Sequence, residues 1–478
     1  MRVLRILGWT SLVLLLATGG LVAANWQMVT QIVRFSPLIL PAFYGEPSNK
    51  TEAQQQDIKF LRRLVDYDRS YTGQELRDFH VHLDALFARA GRLSDAELYL
   101  GAARAAAISD NGHTNVGAGP LYRRFNRVGV KVFWFADGLF IVRARNDLAD
   151  LVGAKVTAVQ GVPIDAAVLR LGYYFGGAES WRRLYSSLFL ESPEIMHAAG
   201  LSSSSDSLSL SITDATGANR EVRLRGVKAD ATVPTRWPWM TLLATAMPDE
   251  GNGWRRTLSL TGPQAPLYLR GTNENFFWTR IGGGVYLRPH LLLERPETPI
   301  LANFEAVVRA GASKPFDFMI VDLRQSPGGD YTKVVDFAKA APKAIRPEGH
   351  LYIITGPQTF SASVVATALL KHHGGRKSVI VGERLGDREQ FWAETGLPFA
   401  LPNSGYAINY ATGYHDWEKG CAGKNEYCFD LNLIHEVSAG SLLPSVPLAP
   451  TYADYASGRD VVLEWIGAKE GAVVSQPK

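Results

Sequence analysis

Apolar residues recur at intervals of three and four from Glu52 to Ala107, which is the period of one face of an α-helix. The segment predicts three helices. Ser94 precedes Glu97 by three positions, the spacing of a capping box, so we expect the third helix to begin at this point. The helices are interpreted as an N-terminal subdomain, residues 52–115, that ends in the Gly- and Asn-rich loop SDNGHTNVGAG.

Residues 130–228 show strand patterns that are interrupted by turns. The segment KVFWFADGLFIVRAR alternates on both sides of an Asp-Gly turn, and DSLSLSITDATGANREVRLRG has a polar centre between two alternating runs. Both patterns are typical of β-hairpins. A short helix, a strand, a Gly-Val-Pro turn and a second helix are predicted between the hairpins. This range is therefore expected to form a compact β-rich unit.

From Pro266 onwards apolar strands alternate with helices. Such strands indicate a sheet that is covered on both faces and has parallel neighbours. Sites in these sheets lie at the carboxyl ends of the strands, where the turns LRQSPGGD and GPQTFS both fall. The chain is therefore predicted to be a multi-domain α+β protein, with a mixed α/β sheet domain over residues 266–470.

Length and charge indicate the number of domains and the kinds of partner that the protein can have. A chain of 478 residues exceeds the size at which one hydrophobic core keeps growing, so two or more domains are expected. The formal net charge of +4 is spread over mixed acids and bases without a dense basic patch, which argues against nucleic-acid binding.

The N-terminus has the composition of a targeting segment. Two arginines precede the uncharged stretch from Ile6 to Ala24, which ends in small residues. This order is typical of a secretory signal peptide, residues 1–24, but the stretch is also long enough to anchor the protein in a membrane. Both interpretations place the body outside the cytoplasm, periplasmic or secreted, and a buried helix of a cytosolic protein is the alternative. A Pro-containing linker is predicted over residues 25–51.

The only two cysteines, Cys421 and Cys428, have six residues between them in a Gly- and Asn-containing loop. In an exported protein this spacing indicates a local disulfide, with two unpaired thiols as the alternative. Neither a Cys pair nor a His pair at metal-ligand spacing lies beside them, so no metal and no other cofactor is predicted.

Ser361 begins the helix pattern SASVVATALLK after a turn. Unpaired N–H groups and the positive end of the helix dipole suit a developing oxyanion there, but Thr359 or Ser361 could equally be an ordinary helix cap. The Gly328-Gly329 turn after an earlier apolar strand lets backbone N–H groups approach a substrate.

A serine nucleophile also needs a base. Among ten histidines, His113 lies in a glycine-rich loop, where a side chain can reach a cleft or be merely structural.

The segments FDFMIVDLRQSPGGD, TFSAS and VIVGE follow one another along the C-terminal half. In this order they resemble the tail-specific or C-terminal-processing serine proteases. DNGHT resembles the histidine loop of the tricorn and interphotoreceptor retinoid-binding protein branch, and LPSVPLAPTYADYASGRDVVLEWI resembles the closing pattern of that group. The resemblance extends from Leu93 to Ile466 and implies a crotonase-like (ClpP-like) catalytic domain.

The resemblance implies a role for each matching residue. Ser361 would be the nucleophile and His113 its general base. Ala362 and the Gly328-Gly329 turn would form the oxyanion hole that stabilises a tetrahedral intermediate.

Three positions depart from the family pattern. Val364 stands where the family has a glutamate, and Gly112 stands where the tricorn-like branch has a serine. Arg388 stands where the other branch has a lysine base, and a guanidinium cannot act as a base. The carboxylate that orients the histidine is expected to be one of three late glutamates: Glu394, Glu418 and Glu436.

Within residues 130–228, LADLVGAKVTAVQGVPIDAAVLRL resembles the core of a PDZ-like domain, a module that adds extended peptides to a sheet edge. A structural insert that binds nothing is the alternative. The sequence as a whole predicts an exported serine peptidase that acts on peptide or protein substrates and is membrane-associated if its leader is retained. An inactive protease scaffold that binds peptide tails or apolar ligands is the second hypothesis, and an envelope assembly factor is the third.

Overall fold

The computed structural model describes residues 34–40, 43–250, 253–261, 264–271, 275–394 and 396–472. The predicted leader, residues 1–24, lies outside these ranges, as does the beginning of the predicted linker. Within them, no helix combines the length and the apolar character needed to cross a bilayer.

The N-terminal segment is helical, as its apolar period predicts. Its elements are α1 (Lys50–Leu61), α2 (Leu64–Tyr67), α3 (Gly73–Ala88) and α4 (Asp95–Ala107), followed by β1 (Asn115–Val116) and α5 (Gly119–Arg123). The Ser94 hydroxyl accepts a hydrogen bond from the Glu97 N–H, and the Glu97 carboxylate accepts one from the Ser94 N–H, so the predicted capping box is confirmed. The first predicted helix is divided into α1 and α2.

The β-rich range contains both predicted hairpins, β2 with β3 and β6 with β7. Its elements are β2 (Val130–Phe135), β3 (Gly138–Arg145), β4 (Lys155–Val159), β5 (Val162–Pro163), α6 (Ile164–Leu171), α7 (Glu179–Phe189), α8 (Pro193–Ala198), β6 (Ser207–Thr213), β7 (Asn219–Arg225) and β8 (Trp254–Arg256). The sheet has the order β2-β3-β4-β6-β7, with β5 paired to β4 and β8 paired to β3. Helices α7 and α8 were not among the predicted elements.

One buried core joins the N-terminal helices to the β-rich unit. The Tyr99 ring of α4 makes edge contacts with Phe125, Phe189 and Tyr406, at centroid distances of 5.4, 6.4 and 5.3 Å. Because α4 leads directly into the histidine loop, this packing fixes the base of that loop against both helix α7 of the β-rich unit and the C-terminal half.

The C-terminal half contains a sheet of the predicted parallel kind. The strands of this half are β9 (Phe276–Ile281), β10 (Gly284–Pro289), β11 (Phe316–Asp322), β12 (Ile345–Thr355), β13 (Ser378–Gly382), β14 (Gln390–Ala393), β15 (Phe399–Ala400), β16 (Ala407–Asn409), β17 (Gly413–Asp416) and β18 (Val446–Pro447). Its helices are α9 (Ile300–Ser313), α10 (Val335–Ala340), α11 (Ala362–Gly374), α12 (Asp430–His435), α13 (Tyr452–Ala456) and α14 (Val461–Glu470). The main sheet has the order β18-β13-β12-β11-β10-β9, in which only β9 pairs antiparallel among the described strands.

Both faces of this sheet are covered, as predicted. Along β11, Met319 and Val321 belong to the core beneath helices α9 to α11, whereas Phe318 and Ile320 belong to the core beneath α14. The alternation is that of a strand whose two faces are both buried.

The segment after β13 forms strands that its sequence did not reveal. β14 pairs with β17, and β16 pairs with both β15 and β1. In the β1–β16 pair Asn115 lies opposite Asn409 and Val116 opposite Ile408. Because β1 follows the histidine loop, this long-range pairing carries the loop to the C-terminal half of the chain.

Candidate active site

Ser361 occupies a strained turn between β12 and α11. Its φ of 54° and ψ of −127° lie in a region that a residue with a Cβ rarely adopts. Its side chain makes no capping hydrogen bond to the helix. The Thr359 hydroxyl is used within the turn, where it donates to the Leu323 carbonyl (2.8 Å) and accepts from the Gly356 N–H (2.9 Å). Ser361 therefore does not have the helix-capping role that the sequence left open.

The glycine turn after β11 packs directly against this serine. Gly328 has a φ of 113°, and a Cβ built on it would lie 2.7 Å from Ser361 Cβ and 3.0 Å from Ala362 N. Only glycine tolerates both this conformation and this approach. A Cβ on Gly329 would instead lie 2.6 Å from the Leu292 carbonyl oxygen. The backbones of Gly328 and Ala362 are therefore neighbours beside Ser361, whereas Gly329 packs on Leu292.

Two arginines hold the start of the histidine loop. Asp110 has a φ of 51°, and its carboxylate pairs with Arg182 and with Arg388. Arg388 also donates to the Asp110 carbonyl at 3.1 Å. The arginine that stands where one branch of the family has a lysine base thus positions the loop that carries the histidine.

A buried carboxylate holds the other side of the same loop. Asp68 accepts hydrogen bonds from the Thr114 hydroxyl (2.6 Å) and from the Ala411 N–H (2.9 Å). It also accepts from the N–H and the hydroxyl of Ser70. Burial raises the pKa of Asp68, and these donors lower it. Because Thr114 follows His113 directly, the network fixes the backbone next to the imidazole.

The His113 imidazole stacks on two aromatic rings. The centroid of Phe360 lies 4.5 Å away and that of Phe391 lies 5.3 Å away. Phe360 immediately precedes Ser361, so the ring contact brings the histidine to the serine turn. Burial, and to a smaller extent the charge of His415, lowers the pKa of His113 to about 3. The imidazole is therefore neutral at pH 7, the state that a general base requires.

Asp387 is the carboxylate that the structure brings to His113. Its Oδ2 lies 3.5 Å from His113 Nδ1, and its side chain is 2% exposed. The Arg388 N–H donates to Asp387 Oδ1 at 2.9 Å, and the Ser361 N–H also donates to this carboxyl. Among the described residues, neither ring nitrogen of His113 nor Asp387 Oδ2 has a hydrogen-bond partner. No competing partner therefore turns the imidazole away from Asp387.

Burial controls the protonation of this pair. It raises the pKa of Asp387 to about 8, against the lowering effects of Arg388 and of the Ser361 N–H. Asp387 thus holds a proton readily at neutral pH while His113 stays neutral. Loss of that proton produces a carboxylate that accepts from Nδ1–H and leaves Nε2 free to accept a proton from a hydroxyl.

None of the three glutamates predicted as alternatives is paired with His113. Glu418 accepts a hydrogen bond of 2.6 Å from an amide side chain on β14, Glu436 accepts one of 2.8 Å from a backbone N–H in the cysteine loop, and Glu394 pairs with a different histidine. The acidic group reaches His113 from the loop directly after β13, and the later strands carry the glutamates to other contacts. The available signal was Asp387 in GERLGDREQ, just past a buried strand whose carboxyl end lies at the same sheet edge as Ser361.

A second pair of a histidine and a carboxylate, His415 with Glu394, adjoins that of His113 with Asp387. His415 stacks on Phe391 with a centroid distance of 4.6 Å. Trp417 Nε1 donates to His415 Nδ1 at 3.2 Å, so the proton of the neutral ring is on Nε2, which lies 3.0 Å from Glu394 Oε1. Sequence reasoning did not identify His415, because its role depends on a ring stack that only the folded chain creates.

Ser361 and His113 line one cavity of about 500 Å³. The aromatic residues in its wall are Tyr99, Phe175, Trp181, Tyr185, Trp237, Phe360 and Tyr410. Glu394 and Arg236 also line the cavity, and the Arg236 guanidinium is paired with Glu191 at 2.8 Å. A large, mainly apolar space next to a hydroxyl and an imidazole suits an extended substrate with bulky side chains.

The cysteine loop lies between β17 and α12. The structure joins Cys421 and Cys428 in a disulfide, with their Cα atoms 5.7 Å apart. Both cysteines are buried.

We expect Gly328→Ala to destabilise the protein, because the added methyl group would lie 2.7 Å from Ser361 Cβ at a φ of 113°. Overpacking of this kind costs about 1–3 kcal/mol. Gly217→Ala is the matched control, since its φ is 86° and nothing lies within 4 Å of the added Cβ. Thermal unfolding compares the two variants. Equal losses would contradict the close approach of Gly328 to Ser361.

A second prediction concerns stability and pH. Because the folded-state pKa of Asp387 is about 8, the native protein keeps a proton that the unfolded chain has already lost above about pH 4. The group therefore makes the free energy of unfolding fall as pH rises from about 4 to about 8. Asp387→Asn removes this contribution, so the variant should gain stability relative to the parent near pH 8 but not near pH 4. Denaturant titrations at both pH values measure the difference, and a difference independent of pH would contradict the assignment.

No protein-family model matches the chain, and no curated protein matches it. Solved structures do match. The structure of mature CPAF complexed with lactacystin aligns with 88% of this chain and 98% of its own, at 14% identity and a TM-score of 0.53. A second structure of mature CPAF covers 88% of this chain and 96% of its own, at 13% identity and a TM-score of 0.54.

A photosystem II D1 C-terminal processing protease aligns with 83% of this chain and 93% of its own, at 13% identity and a TM-score of 0.36. At these identities the two CPAF comparisons concern the fold. The chain therefore has a mixed α+β, multi-domain architecture that it shares with mature CPAF over most of its length.

Proposed function

We propose that the protein is a serine peptidase that cleaves peptide bonds through Ser361. The observation that carries this proposal is the meeting of three segments around one imidazole: Ser361 in a strained turn, His113 stacked on the preceding Phe360, and Asp387 at 3.5 Å from the imidazole. A hydroxyl nucleophile requires a base and a group that orients the base. The fold that the chain shares with mature CPAF, solved in complex with lactacystin, is compatible with this proposal.

In the first step the Ser361 hydroxyl attacks the carbonyl carbon of the peptide bond while His113 Nε2 takes the hydroxyl proton. The carbonyl π electrons move to oxygen and form a tetrahedral oxyanion. The N–H groups of Ala362 and of the Gly328-Gly329 turn are proposed to donate to that oxygen, with Gly328 the better placed of the two glycines. Preorganised donors of this kind commonly contribute about 100- to 1,000-fold in rate.

The tetrahedral intermediate then collapses. The C–N bond breaks, the imidazolium protonates the leaving amine, and an ester remains on Ser361. Water attacks this ester with His113 again as the base, and the acid product leaves as the proton returns to the serine. Asp387 holds Nδ1–H throughout and stabilises the imidazolium, so it has to be ionised for the cycle to proceed.

The remaining expectations from the sequence extend this proposal. The aromatic cavity favours peptide or protein substrates with large apolar side chains next to the cleaved bond. The unit at residues 130–228 is proposed to be PDZ-like and to present an extended peptide, and residues 266–470 to be a crotonase-like catalytic domain. Residues 1–24 and the disulfide between Cys421 and Cys428 support an exported protein.

The nucleophile is tested with a fluorophosphonate probe on the purified protein. We expect the parent to be labelled and Ser361→Ala not to be labelled, because phosphonylation requires the activated hydroxyl. Ser363→Ala is the matched control: its hydroxyl donates to Ser326 at 2.7 Å and takes no part in the chemistry, so labelling should persist. Labelling of Ser361→Ala at the parental rate would contradict the mechanism.

The pH dependence tests the pair behind the serine. Since Asp387 loses its proton near pH 8, the labelling rate of the parent should rise between about pH 6 and about pH 9 and then level off. Asp387→Asn keeps the shape but not the charge, and we expect a loss of about 1,000- to 10,000-fold with no rise of this kind. A profile that rises and levels near pH 6.5 would show instead that an ordinary histidine controls the rate.

The second hypothesis, an inactive scaffold, is supported by the size and apolar character of the cavity that holds Ser361. It predicts tight binding of apolar ligands or peptide tails without any labelling of Ser361. The labelling experiment therefore separates the two functions directly.

A further inference from the structure

A second cavity, of about 300 Å³, adjoins the one that holds Ser361. The turn that leads to the serine lines both spaces: Gly356 and Gln358 line the second cavity, whereas Phe360 and Ser361 line the first. Helix α7 also contributes to both linings. The two cavities are therefore separate spaces with a common wall.

Aromatic rings form much of the second cavity. The rings are Phe133, Trp134, Phe135, Trp239 and Tyr268. Two of them already lie under guanidinium groups, since Arg183 lies 3.8 Å from the Trp134 centroid and Arg324 lies 4.8 Å from that of Tyr268. The faces of such rings attract cations.

Most charged side chains in this lining already have a partner of opposite charge. The pairs are Arg324 with Asp460 (3.1 Å), Arg183 with Asp165 (3.1 Å) and Arg459 with Asp454 (3.0 Å). Arg384 also contributes to the lining, and it is exposed to solvent. These pairs leave little net charge to be neutralised by a ligand.

Glu383, directly after β13, differs from both the paired groups and the exposed Arg384. Its carboxyl lies at the cavity and makes no hydrogen bond or ion pair with any residue in the part of the chain that the structure describes. Burial raises the pKa of Glu383 to about 7, and the charge of Arg324 offsets this only in part. An ionised carboxyl without a partner is costly in such surroundings, so a cation in the cavity would stabilise it.

We propose that this second cavity binds an apolar organic cation, an ammonium group on a hydrophobic body, with the Glu383 carboxylate as counter-ion and the aromatic rings as walls. Charge complementarity selects a cation over an anion, and the rings select an apolar body over a hydrated ion. The volume admits a small molecule or a single side chain. The ammonium group therefore comes either from a free amine or from a lysine side chain of a bound peptide.

The proton and the cation compete for the same carboxylate. The other charged groups that line the space are Arg183, Arg324, Arg384, Arg459 and Asp460. The arginines remain protonated at all relevant pH values. Burial also raises the pKa of Asp460, but this carboxyl lies 3.1 Å from Arg324, whose charge opposes the rise. Glu383 has no such partner and its pKa is about 7, so its charge is the one expected to change near neutrality. The affinity for an amine should therefore rise from about pH 6 to about pH 8 and then hold until the amine itself loses its proton.

Calorimetric titration of the full-length protein with benzylamine tests the proposal. We expect binding at pH 8 that weakens about tenfold or more in Glu383→Gln, because a buried charge pair has lost one partner. Glu394→Gln is the matched control, since Glu394 is the carboxylate of the Ser361 cavity, and it should bind benzylamine as the parent does. For the parent alone, affinity should be lower at pH 6 than at pH 8.

Two neutral or anionic analogues complete the test. Benzyl alcohol has nearly the same size and should bind the parent more weakly than benzylamine, and benzoate should bind more weakly still. Equal affinities of the parent and Glu383→Gln for benzylamine would overturn the proposal. It would also be overturned by benzoate binding more tightly than benzylamine with a loss in Arg384→Gln, which would make the cavity an anion site.

The two sources of the ammonium group are separated by a second ligand, the N-acetyl, N-methylamide derivative of lysine. Tighter binding of this compound than of benzylamine, with the same dependence on Glu383, identifies a lysine side chain as the occupant. The reverse order identifies a free amine. These experiments measure binding at the second cavity, so a negative result would leave the peptidase proposal unchanged. Equally, a Ser361 that is not labelled would leave the proposal of amine binding unchanged.

Discussion

The stacking of His113 on Phe360 joins segments that come from opposite halves of the chain. A histidine in a loop after α4 can serve a serine before α11 only if the fold brings the two loops together and keeps them there. Phe360 does this by being both the ring under the imidazole and the residue before Ser361. The β1–β16 pairing and the bonds of Asp110 and Asp68 restrain the loop from either side, so the ring contact sets the base against a turn that is already rigid.

Desolvation is the common electrostatic cause at both cavities. It lowers the pKa of His113 and raises that of Asp387 and Glu383, to about 3, about 8 and about 7. At the candidate catalytic site this keeps the imidazole neutral and makes the orienting acid depend on pH. At the second cavity the same effect makes ionisation of Glu383 costly, and this carboxyl has no partner within the described chain. The two sites thus differ in the group that can stabilise the ionised carboxylate. For Asp387 it is a histidine of the same chain, and for Glu383 it is the proposed external cation.

The sequence predicted the features that depend on neighbouring residues. The capping box at Ser94, both hairpins, the parallel strands and the glycine turn beside the serine all follow from spacing and residue type over a few positions. Spacing over a few positions assigned no role to Asp387 or to His415, because the roles of both come from contacts between distant segments. The motif order favoured a later glutamate, and GERLGDREQ looks locally like any polar loop after a strand. Strands β14 to β17 were missed for the same reason, since β16 is paired with β1 from the other half of the chain.

Val364 stands where the family pattern has a glutamate, and its surroundings show whether the missing glutamate implies an inactive site. Its side chain is fully buried in the core between α11 and the sheet. A glutamate there would place a carboxyl among apolar side chains without a partner, which is strongly unfavourable. In this chain the acid next to the serine comes instead from the loop after β13, where the backbone N–H groups of Ser361 and Arg388 can bond to Asp387. The valine is thus the residue that its surroundings require, and the activity proposed for this site depends on the charge of Asp387.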